Sequence, residues 1–203
     1  LPVYPGIHYF MGGLYVDSAH RTMVKGLYAA GECACQYHGA NRLGGNSLLG
    51  AVFGGRRAAQ TMLADGKPPA NCAGEAALAA WQAEQEAVER RTGRVSCAAA
   101  KQRLAEILRC CMGIRRCEEQ LAAGAEDLEQ LAADLKKGRD PGCSGAEQIC
   151  LERRVELARA MVESARARRE SRGAQCRTDY PERNDAEFCK TTVARMQQGG
   201  TAI

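Results

Sequence analysis

The chain has 203 residues, of which 45% are apolar and only 5% aromatic, and its formal net charge is +4. This length fits one domain or two small ones, and a core built mainly from Ala and Leu favours helices. Lys and Arg alternate with Asp and Glu along the helical stretches, as on solvated helix faces, so we expect no nucleic-acid partner. No run of about 18 apolar residues occurs, and we therefore predict no membrane span.

Eleven cysteines are present, but no two of them form a Cys-x-x-Cys pair. Because zinc and iron–sulfur sites usually use that spacing, we predict no metal site and interpret most thiols as small buried apolar groups. The first residues lack the basic and apolar regions of a signal peptide, so we expect reduced thiols and a cytoplasmic location. They also lack an initiator Met, which indicates a part of a longer chain.

Residues 1 to about 36 contain short apolar runs bounded by turn residues, which predict short strands. The run Gly26–Glu32 has a glycine near each end and fits a buried strand with Glu32 at its C-terminal end. Ligands of open α/β sheets bind at that edge of the sheet. The pattern therefore places the Glu32 carboxylate at a candidate site.

The stretch His38–Leu49 carries a His, an Arg, three glycines and two helix-capping residue types within twelve positions. Residues 37–45 are predicted to form a Gly-rich loop, and Asn46 or Ser47 to cap a helix that extends from Ser47 to about Ala64. Arg42 and the free N–H groups of the first helical turn would present positive potential to an anion. The residues by themselves thus predict an anion-binding α/β site.

Three glycines, Gly50, Gly54 and Gly55, lie inside this predicted helix, although each costs up to about 1 kcal/mol of helix propensity. Small residues at such a cost indicate a close approach of the helix to another backbone or to a ligand. The apolar residues of the same helix are Leu48, Leu49, Val52 and Phe53.

Residues 67–73 contain two prolines and indicate a linker between residues 1–66 and a helical region, residues 74–172. Apolar residues at three- and four-residue spacing predict three long helices in that region, about 75–91, 97–137 and 146–171, with Gly173 ending the last one. The pattern leaves open whether the second helix bends at Met112 and Gly113. Short turns between them favour an antiparallel three-helix bundle. Residues 173–203 are predicted to form an extended tail that packs back on residues 1–66, so the fold class is α+β.

Several motifs resemble the C-terminal part of the flavoprotein subunit of succinate dehydrogenase and fumarate reductase. They are His8–Gly13, Gly26–Glu32 and His38–Leu49, and, near the other end, Glu170–Ala174 and Arg177–Asp185. Because the motifs fall in order at both ends, the resemblance covers essentially the whole chain. It implies an oxidoreductase of electron transport that interconverts fumarate and succinate by hydride transfer at FAD. Residues 1–66 would be the C-terminal segment of its FAD-binding domain.

The resemblance implies roles for five residues. His8 matches the histidine that binds a substrate carboxylate, and Arg42 matches the arginine that holds the other end of the dicarboxylate. Glu32 matches a glutamate that contacts FAD, while Ser47 and Leu48 match the pair whose backbone meets the flavin ring. A helix N-terminus at that ring would favour the negative charge of reduced flavin.

The resemblance also implies an iron–sulfur subunit as partner and a place at the inner face of the membrane through partner subunits. The family's Gly-rich dinucleotide motif, the histidine that carries covalent FAD and the capping-domain arginine are absent from these 203 residues. We therefore expect this piece to be inactive alone. Gln175 stands where the family pattern has His.

Two alternatives stay open. The short connection from Gly13 to Gly26 resembles L-aspartate oxidase, a sister family, whereas the segment Arg177–Asp185 favours the dehydrogenase and reductase branch. The chain could also be a non-catalytic helical module that docks the iron–sulfur subunit.

Overall fold

The computed structural model describes residues 8–34, 37–66, 74–197 and 200–203. The chain divides into two compact units, Leu1–Cys72 and Ala73–Ile203. The linker predicted over residues 67–73 lies outside the described residues.

Short backbone bridges and one long helix make up the first unit. Leu14 forms a parallel bridge with Ala34, and Arg21 forms an antiparallel bridge with Tyr28. A 3-10 turn spans Gly31–Cys33. The strand predicted over 26–32 is therefore reduced to the bridge at Tyr28, because the φ of 76° at Gly31 turns the backbone out of the extended conformation.

Helix α1 spans Asn46–Asp65, one residue beyond the predicted helix at each end. Its N-cap is Gly45 in the left-handed conformation, without a side-chain cap, so the prediction of Asn46 or Ser47 as the cap was wrong. Glycine takes this place because its φ of 82° would strain any other residue.

The glycines inside α1 divide into two kinds. A Cβ on Gly54 would lie 1.8 Å from Tyr37 Oη, and one on Gly50 would lie 3.4 Å from His38 Nε2. Gly55, in contrast, faces open space among the described residues. The expected close approach is thus present at Gly50 and Gly54, with aromatic side chains as the neighbours.

The second unit contains four long helices where three were predicted. They are α2 (Gly74–Glu89), α3 (Cys97–Cys111), α4 (Glu118–Lys137) and α5 (Gly145–Ala167). The second predicted helix, about 97–137, is broken at the point where a bend was left open: the chain leaves the helix at Met112 and Gly113 to form a short strand. A continuous apolar stripe on both sides of this break conceals it in the sequence.

Two-residue strands connect the helices. Strand β1 (Gly93–Arg94) pairs in parallel with β3 (Gly138–Arg139), and β2 (Arg115–Arg116) pairs in parallel with β4 (Cys176–Arg177). Near the end of the chain, a short helix α6 (Asp185–Phe188) precedes an antiparallel pair formed by β5 (Arg195–Gln197) and β6 (Gly200–Ala202).

Helices α3, α4 and α5 enclose the main core of the second unit. Gly124 allows α4 to approach α3, since a Cβ there would lie 2.6 Å from Cys111 Sγ. The largest core side chains that solvent does not reach are aliphatic and come from α4 and α5: Leu121, Leu128, Leu135, Leu151, Val155 and Val162. None of the described helices is long and apolar enough to cross a bilayer.

Helix α5 begins with a capping box, in which Ser144 and Glu147 each accept the other's backbone N–H. It ends at Ala167, four residues before the predicted end. Side chains of the tail satisfy its last carbonyl groups: Arg177 Nη1 donates to Ala165 O at 3.0 Å, and Gln175 Nε2 donates to the same oxygen at 3.3 Å. Gln175 thereby has a capping role.

The tail beyond residue 173 belongs to the second unit, whereas we predicted that it packs on residues 1–66. Thr178 N–H donates to Arg116 O at 2.8 Å, and Arg177 is completely buried. The Arg177 guanidinium needs partners at that depth, and it finds them in the α5 carbonyls, Asp179 and Glu118. These partners fix the tail on the helices.

Candidate active site

The start of α1 is a helix N-terminus without compensating negative charge. No acidic residue lies in its first turn, and Gly45 supplies no side-chain acceptor. The first N–H groups of any α-helix lack intrahelical acceptors and carry the positive end of the helix dipole. Ser47 and Leu48 lie in this turn, so their backbone groups are available to an anionic or polar ligand.

Arg42 lies in the loop immediately before α1, with its guanidinium over the Tyr9 ring. The carbon Cζ is 4.6 Å from the ring centroid, and Nη1 donates to Leu43 O at 3.0 Å. The Nε atom is buried and has no hydrogen-bond partner among the described residues. A buried donor of this kind is costly to leave unpaired.

Tyr9 also contacts His38 at the other end of the loop. The Tyr9 hydroxyl and His38 Nε2 are hydrogen-bonded at 3.2 Å, and the two rings meet edge to face at 5.3 Å. Tyr9 therefore contacts two side chains of the loop, Arg42 through its ring face and His38 through its hydroxyl.

The rings of Tyr37 and His20 form a second contacting pair. Tyr37 stacks on His20 with centroids 5.5 Å apart, and His20 Nδ1 is hydrogen-bonded to Ala29 O at 2.9 Å. Burial raises the pKa of the Tyr37 hydroxyl, so this group stays neutral and can donate a hydrogen bond at neutral pH. His20 is itself buried and adopts a φ of 66°, a strained value for a residue with a Cβ.

An open cavity of about 240 Å³ lies between these rings and α1. Tyr37, His38, Asn46, Leu49, Gly50 and Phe53 line it. A Cβ on Gly50 would lie 3.4 Å from both the His38 ring and the Tyr37 ring, so this residue lies in contact distance of the cavity wall.

Glu32 is held on the 3-10 turn by the segment that also carries Tyr9. Its Oε1 accepts the Phe10 N–H at 2.9 Å, and its side chain is exposed. Nearby, Leu14 N–H donates to Cys33 O at 2.7 Å. Gly13 is required at this point, because a Cβ would lie 2.4 Å from Cys33 O.

The structure brings most of the predicted residues to one short segment, residues 8–10. Arg42 contacts Tyr9, Glu32 contacts Phe10, and the exposed His8 precedes both in the chain. Ser47 and Leu48 lie beyond the loop at the start of α1.

Sequence reasoning missed the four rings of Tyr9, His20, Tyr37 and His38 as parts of the site. A signal existed for His38, which lies in the Gly-rich stretch itself. No local signal marks His20, because its contact with Tyr37 joins residues 17 positions apart.

The other end of α1 is fixed by an ion pair. Arg21 donates to both Asp65 oxygens, at 2.7 and 2.5 Å, and the Tyr28 hydroxyl donates to Oδ2 at 2.7 Å. These donors lower the Asp65 pKa to about 2. The pair connects α1 to the segment around the Arg21–Tyr28 bridge and so helps to orient the helix that presents Ser47.

Comparisons with known proteins identify related chains. Residues 101–203, about half of the chain, match the family described as fumarate reductase flavoprotein C-term, and residues 1–48 match an FAD binding domain. A solved structure of quinol fumarate reductase FrdA from E. coli superposes with a TM-score of 0.83 at 32% identity, covering 100% of this chain and 37% of that one.

Curated relatives give the same result. The chain is 33% identical to the succinate dehydrogenase flavoprotein subunit of Rickettsia bellii, covering 100% of this chain and 37% of the relative. It is 34% identical to the fumarate reductase flavoprotein subunit of Haemophilus influenzae, covering 98% and 35%. The L-aspartate oxidase of Pyrococcus furiosus is 36% identical, with 97% and 35% covered.

The fold and these matches define the class as flavoproteins with an FAD binding domain. Within it, the chain belongs to the fumarate reductase and succinate dehydrogenase flavoprotein family. It spans a little over a third of the length of the curated relatives it matches.

Proposed function

We propose that the chain supplies part of the FAD and dicarboxylate site of an oxidoreductase that interconverts fumarate and succinate. The observation that carries the proposal is the buried Nε of Arg42, which has no partner within the described part of the chain and lies beside an uncapped helix N-terminus, in a chain of this family. FAD, when bound, supplies the hydride exchange with the substrate carbon.

Arg42 is the proposed anchor for one carboxylate of the substrate. A guanidinium binds a carboxylate through two parallel hydrogen bonds, and this geometry requires a fixed plane. The Tyr9 ring 4.6 Å below the guanidinium and the Leu43 carbonyl provide that orientation. Tyr9 is thus a positioning residue for Arg42.

His8 is the proposed partner of the second carboxylate. It is exposed and adjacent in sequence to Tyr9, whose ring contacts the Arg42 guanidinium. Its imidazole would offer an N–H donor to a carboxylate. A ligand held by both residues must carry an anionic group at each end, as fumarate and succinate do.

Glu32, Ser47 and Leu48 are the proposed contacts to FAD. The Phe10 N–H holds one Glu32 oxygen, and the carboxylate can accept a further hydrogen bond from a cofactor hydroxyl. The backbone N–H groups of Ser47 and Leu48 would donate to the flavin ring, where a helix N-terminus favours the added negative charge of the reduced form.

We propose that the helical unit docks an iron–sulfur subunit that exchanges electrons with the flavin. Support comes from relatives whose names describe them as flavoprotein subunits of succinate dehydrogenase and fumarate reductase. The proposal includes an antiparallel arrangement of the helices and a cytoplasmic location at the inner face of the membrane through partner subunits. Co-purification of an iron–sulfur protein with the chain in the absence of FAD would support it; its absence at equal expression would count against it.

A second candidate function is oxidation of L-aspartate, which the 36% identity to an L-aspartate oxidase favours. The two reactions can be separated by assaying the enzyme that contains this chain with fumarate, succinate and L-aspartate under identical conditions. We expect fumarate reduction and succinate oxidation. Turnover of L-aspartate without turnover of either dicarboxylate would replace the first proposal with the second.

The 203-residue chain alone is proposed to lack fumarate turnover, because it spans only about a third of its relatives. An FAD titration followed by a fumarate assay with a reduced dye as electron donor tests this directly. Tight FAD binding together with fumarate reduction by the isolated chain would refute it.

A further inference from the structure

A cluster of potential metal ligands lies in the helical unit, in addition to the site described above. The Cys97 and Cys143 sulfurs and a carboxylate oxygen of Asp140 all lie within 4.8 Å of one another. We propose that these three side chains bind a zinc ion. The absence of a Cys-x-x-Cys pair led to the opposite expectation, but here the fold, rather than local spacing, brings the ligands together.

The pairing of β1 with β3 assembles the cluster. Gly93 and Arg94 lie beside Gly138 and Arg139, and Val95 N–H extends the pairing by donating to Arg139 O at 3.2 Å. Because the two strands are parallel, their C-terminal ends lie side by side. Cys97 follows β1 at the start of α3, while Asp140 and Cys143 follow β3 in the turn before α5.

Backbone groups hold the Asp140 carboxylate in place. Oδ2 accepts the Cys97 N–H at 2.7 Å, and Oδ1 accepts the Gly142 N–H at 2.8 Å. Cys143 N–H in turn donates to Asp140 O at 3.1 Å, which closes the turn that carries the second thiol. Outer hydrogen bonds of this kind orient the ligands in metal sites, so the geometry is set before an ion arrives.

The chemistry of the donor set selects zinc. Thiolates favour Zn²⁺ over Mg²⁺ and Ca²⁺. A carboxylate oxygen is also a known zinc ligand and would be the third ligand here. Tetrahedral zinc with Zn–S bonds of about 2.3 Å separates its sulfurs by about 3.8 Å, within the observed spread. Binding releases the two thiol protons to solvent and needs no oxidant. A water would complete the fourth position.

Burial and charge are consistent with such a site. Cys97 is 1% exposed, whereas Cys143 and Asp140 are partly exposed, so an ion could enter from one side. Cys97 is also the first residue of α3, whose first turn contains no acidic residue, and the helix dipole there favours an anionic ligand. A disulfide between the two cysteines would not involve the Asp140 carboxylate, which is why we favour the metal.

The test uses the purified, reduced chain after removal of metals with a chelator. Co²⁺ serves as the spectroscopic probe, because a thiolate-bound Co²⁺ ion gives a strong charge-transfer absorption, and Zn²⁺ then competes with it. We expect one Co²⁺ per chain with this absorption, displaced by one Zn²⁺. Cys143→Ser should weaken binding by at least about 100-fold, and Asp140→Asn by about 10- to 100-fold.

Cys150→Ser is the matched control, because Cys150 is an exposed thiol of the same unit outside the cluster. It should bind Co²⁺ like the unaltered chain. If Cys143→Ser loses helical circular dichroism, alkylation of the unaltered chain replaces it: Zn²⁺ should protect the partly exposed Cys143 while the exposed Cys150 still reacts.

Three results would overturn the proposal. One is the absence of charge-transfer absorption with the unaltered chain, and another is its persistence in a folded Cys143→Ser chain. The third is a Cys97–Cys143 disulfide in protein purified without reductant and free of zinc.

Discussion

The two units of this chain differ in what they bury. In the helical unit, α3, α4 and α5 cover a continuous aliphatic core. In the first unit, the small cluster of Val16, Ala29 and Ala34 packs with Tyr37. Four large apolar side chains in the first turns of α1 are more than half exposed: Leu48, Leu49, Val52 and Phe53. The comparison shows that one unit is held by its own core and the other is built mainly around polar and aromatic contacts at its proposed site.

The largest expected effect concerns Arg42. In the enzyme that contains this chain, Arg42→Ala should lower kcat/KM for fumarate at least about 1000-fold, because a charged donor to the reacting substrate is lost. The FAD content should stay unchanged. Arg56→Ala, which removes an exposed arginine of α1, should leave kcat/KM unaltered. Normal kinetics of Arg42→Ala would remove this residue from the proposed site.

A pair of Leu→Ala substitutions tests the difference in burial. Leu128 lies in α4 and is 0% exposed. Leu128→Ala should lower the free energy of unfolding by about 2–5 kcal/mol, because the substitution leaves a cavity. Leu63, at 84% exposure in α1, should change that free energy by less than about 0.5 kcal/mol. Denaturant unfolding followed by circular dichroism gives both values. Equal losses of unfolding free energy in the two variants would show that Leu63 is packed as tightly as Leu128.

The helical unit should lose stability in acid through Glu170. This buried carboxylate accepts hydrogen bonds from Arg172, Arg168 and the Asn184 N–H, which lower its pKa from 4.5 to about 2. Its folded-state pKa lies below the unfolded one, so its contribution is present above pH 4.5 and disappears as the pH falls towards 2.

Glu170→Gln should therefore lower the free energy of unfolding at neutral pH by about 1–3 kcal/mol and flatten its dependence between pH 4.5 and 2. The control is Glu182→Gln, at an exposed position of the same segment. Denaturant titrations at a series of pH values supply the curves. An unchanged slope in Glu170→Gln would assign the acid sensitivity to other groups.

The smallest expected effect separates two adjacent glycines of α1. Gly54→Ala should destabilise the first unit by about 1–3 kcal/mol, because its Cβ meets the Tyr37 hydroxyl. Gly55→Ala, at an open position, should stabilise α1 by up to about 1 kcal/mol through helix propensity. Thermal unfolding measures both. Stabilisation by both substitutions would mean that Tyr37 moves aside freely.

How far the sequence predicts this molecule depends on the range of the interactions involved. The bounds of α1 and α2 follow from local apolar periodicity and were predicted to within two residues. The sequence left open whether the chain breaks between α3 and α4, because β2 forms only by pairing with β4, about 60 residues later in the chain. The end of α5 was misplaced for the same reason, since side chains of the tail satisfy its last carbonyls.

The same distinction applies to the candidate site. Arg42 could be singled out from its own loop, because glycines and a helix start surround it in sequence. Two contacts of the site join distant segments: the Tyr9 ring with Arg42, and Tyr37 with His20. Local periodicity and spacing in the sequence therefore cannot predict them. The Cys97 and Cys143 thiols show the same limitation, because only the β1–β3 pairing brings them together.

The most direct test of the central claim is a dicarboxylate titration of the oxidised enzyme that contains this chain, followed through the absorption spectrum of its flavin. Malonate, a non-reacting dicarboxylate, serves as the probe. We predict that Arg42→Ala raises the Kd of malonate by at least about 100-fold, equivalent to about 2.7 kcal/mol, while the flavin content and the Kd of Arg56→Ala stay unchanged. Malonate binding to Arg42→Ala with the unaltered Kd would contradict the claim.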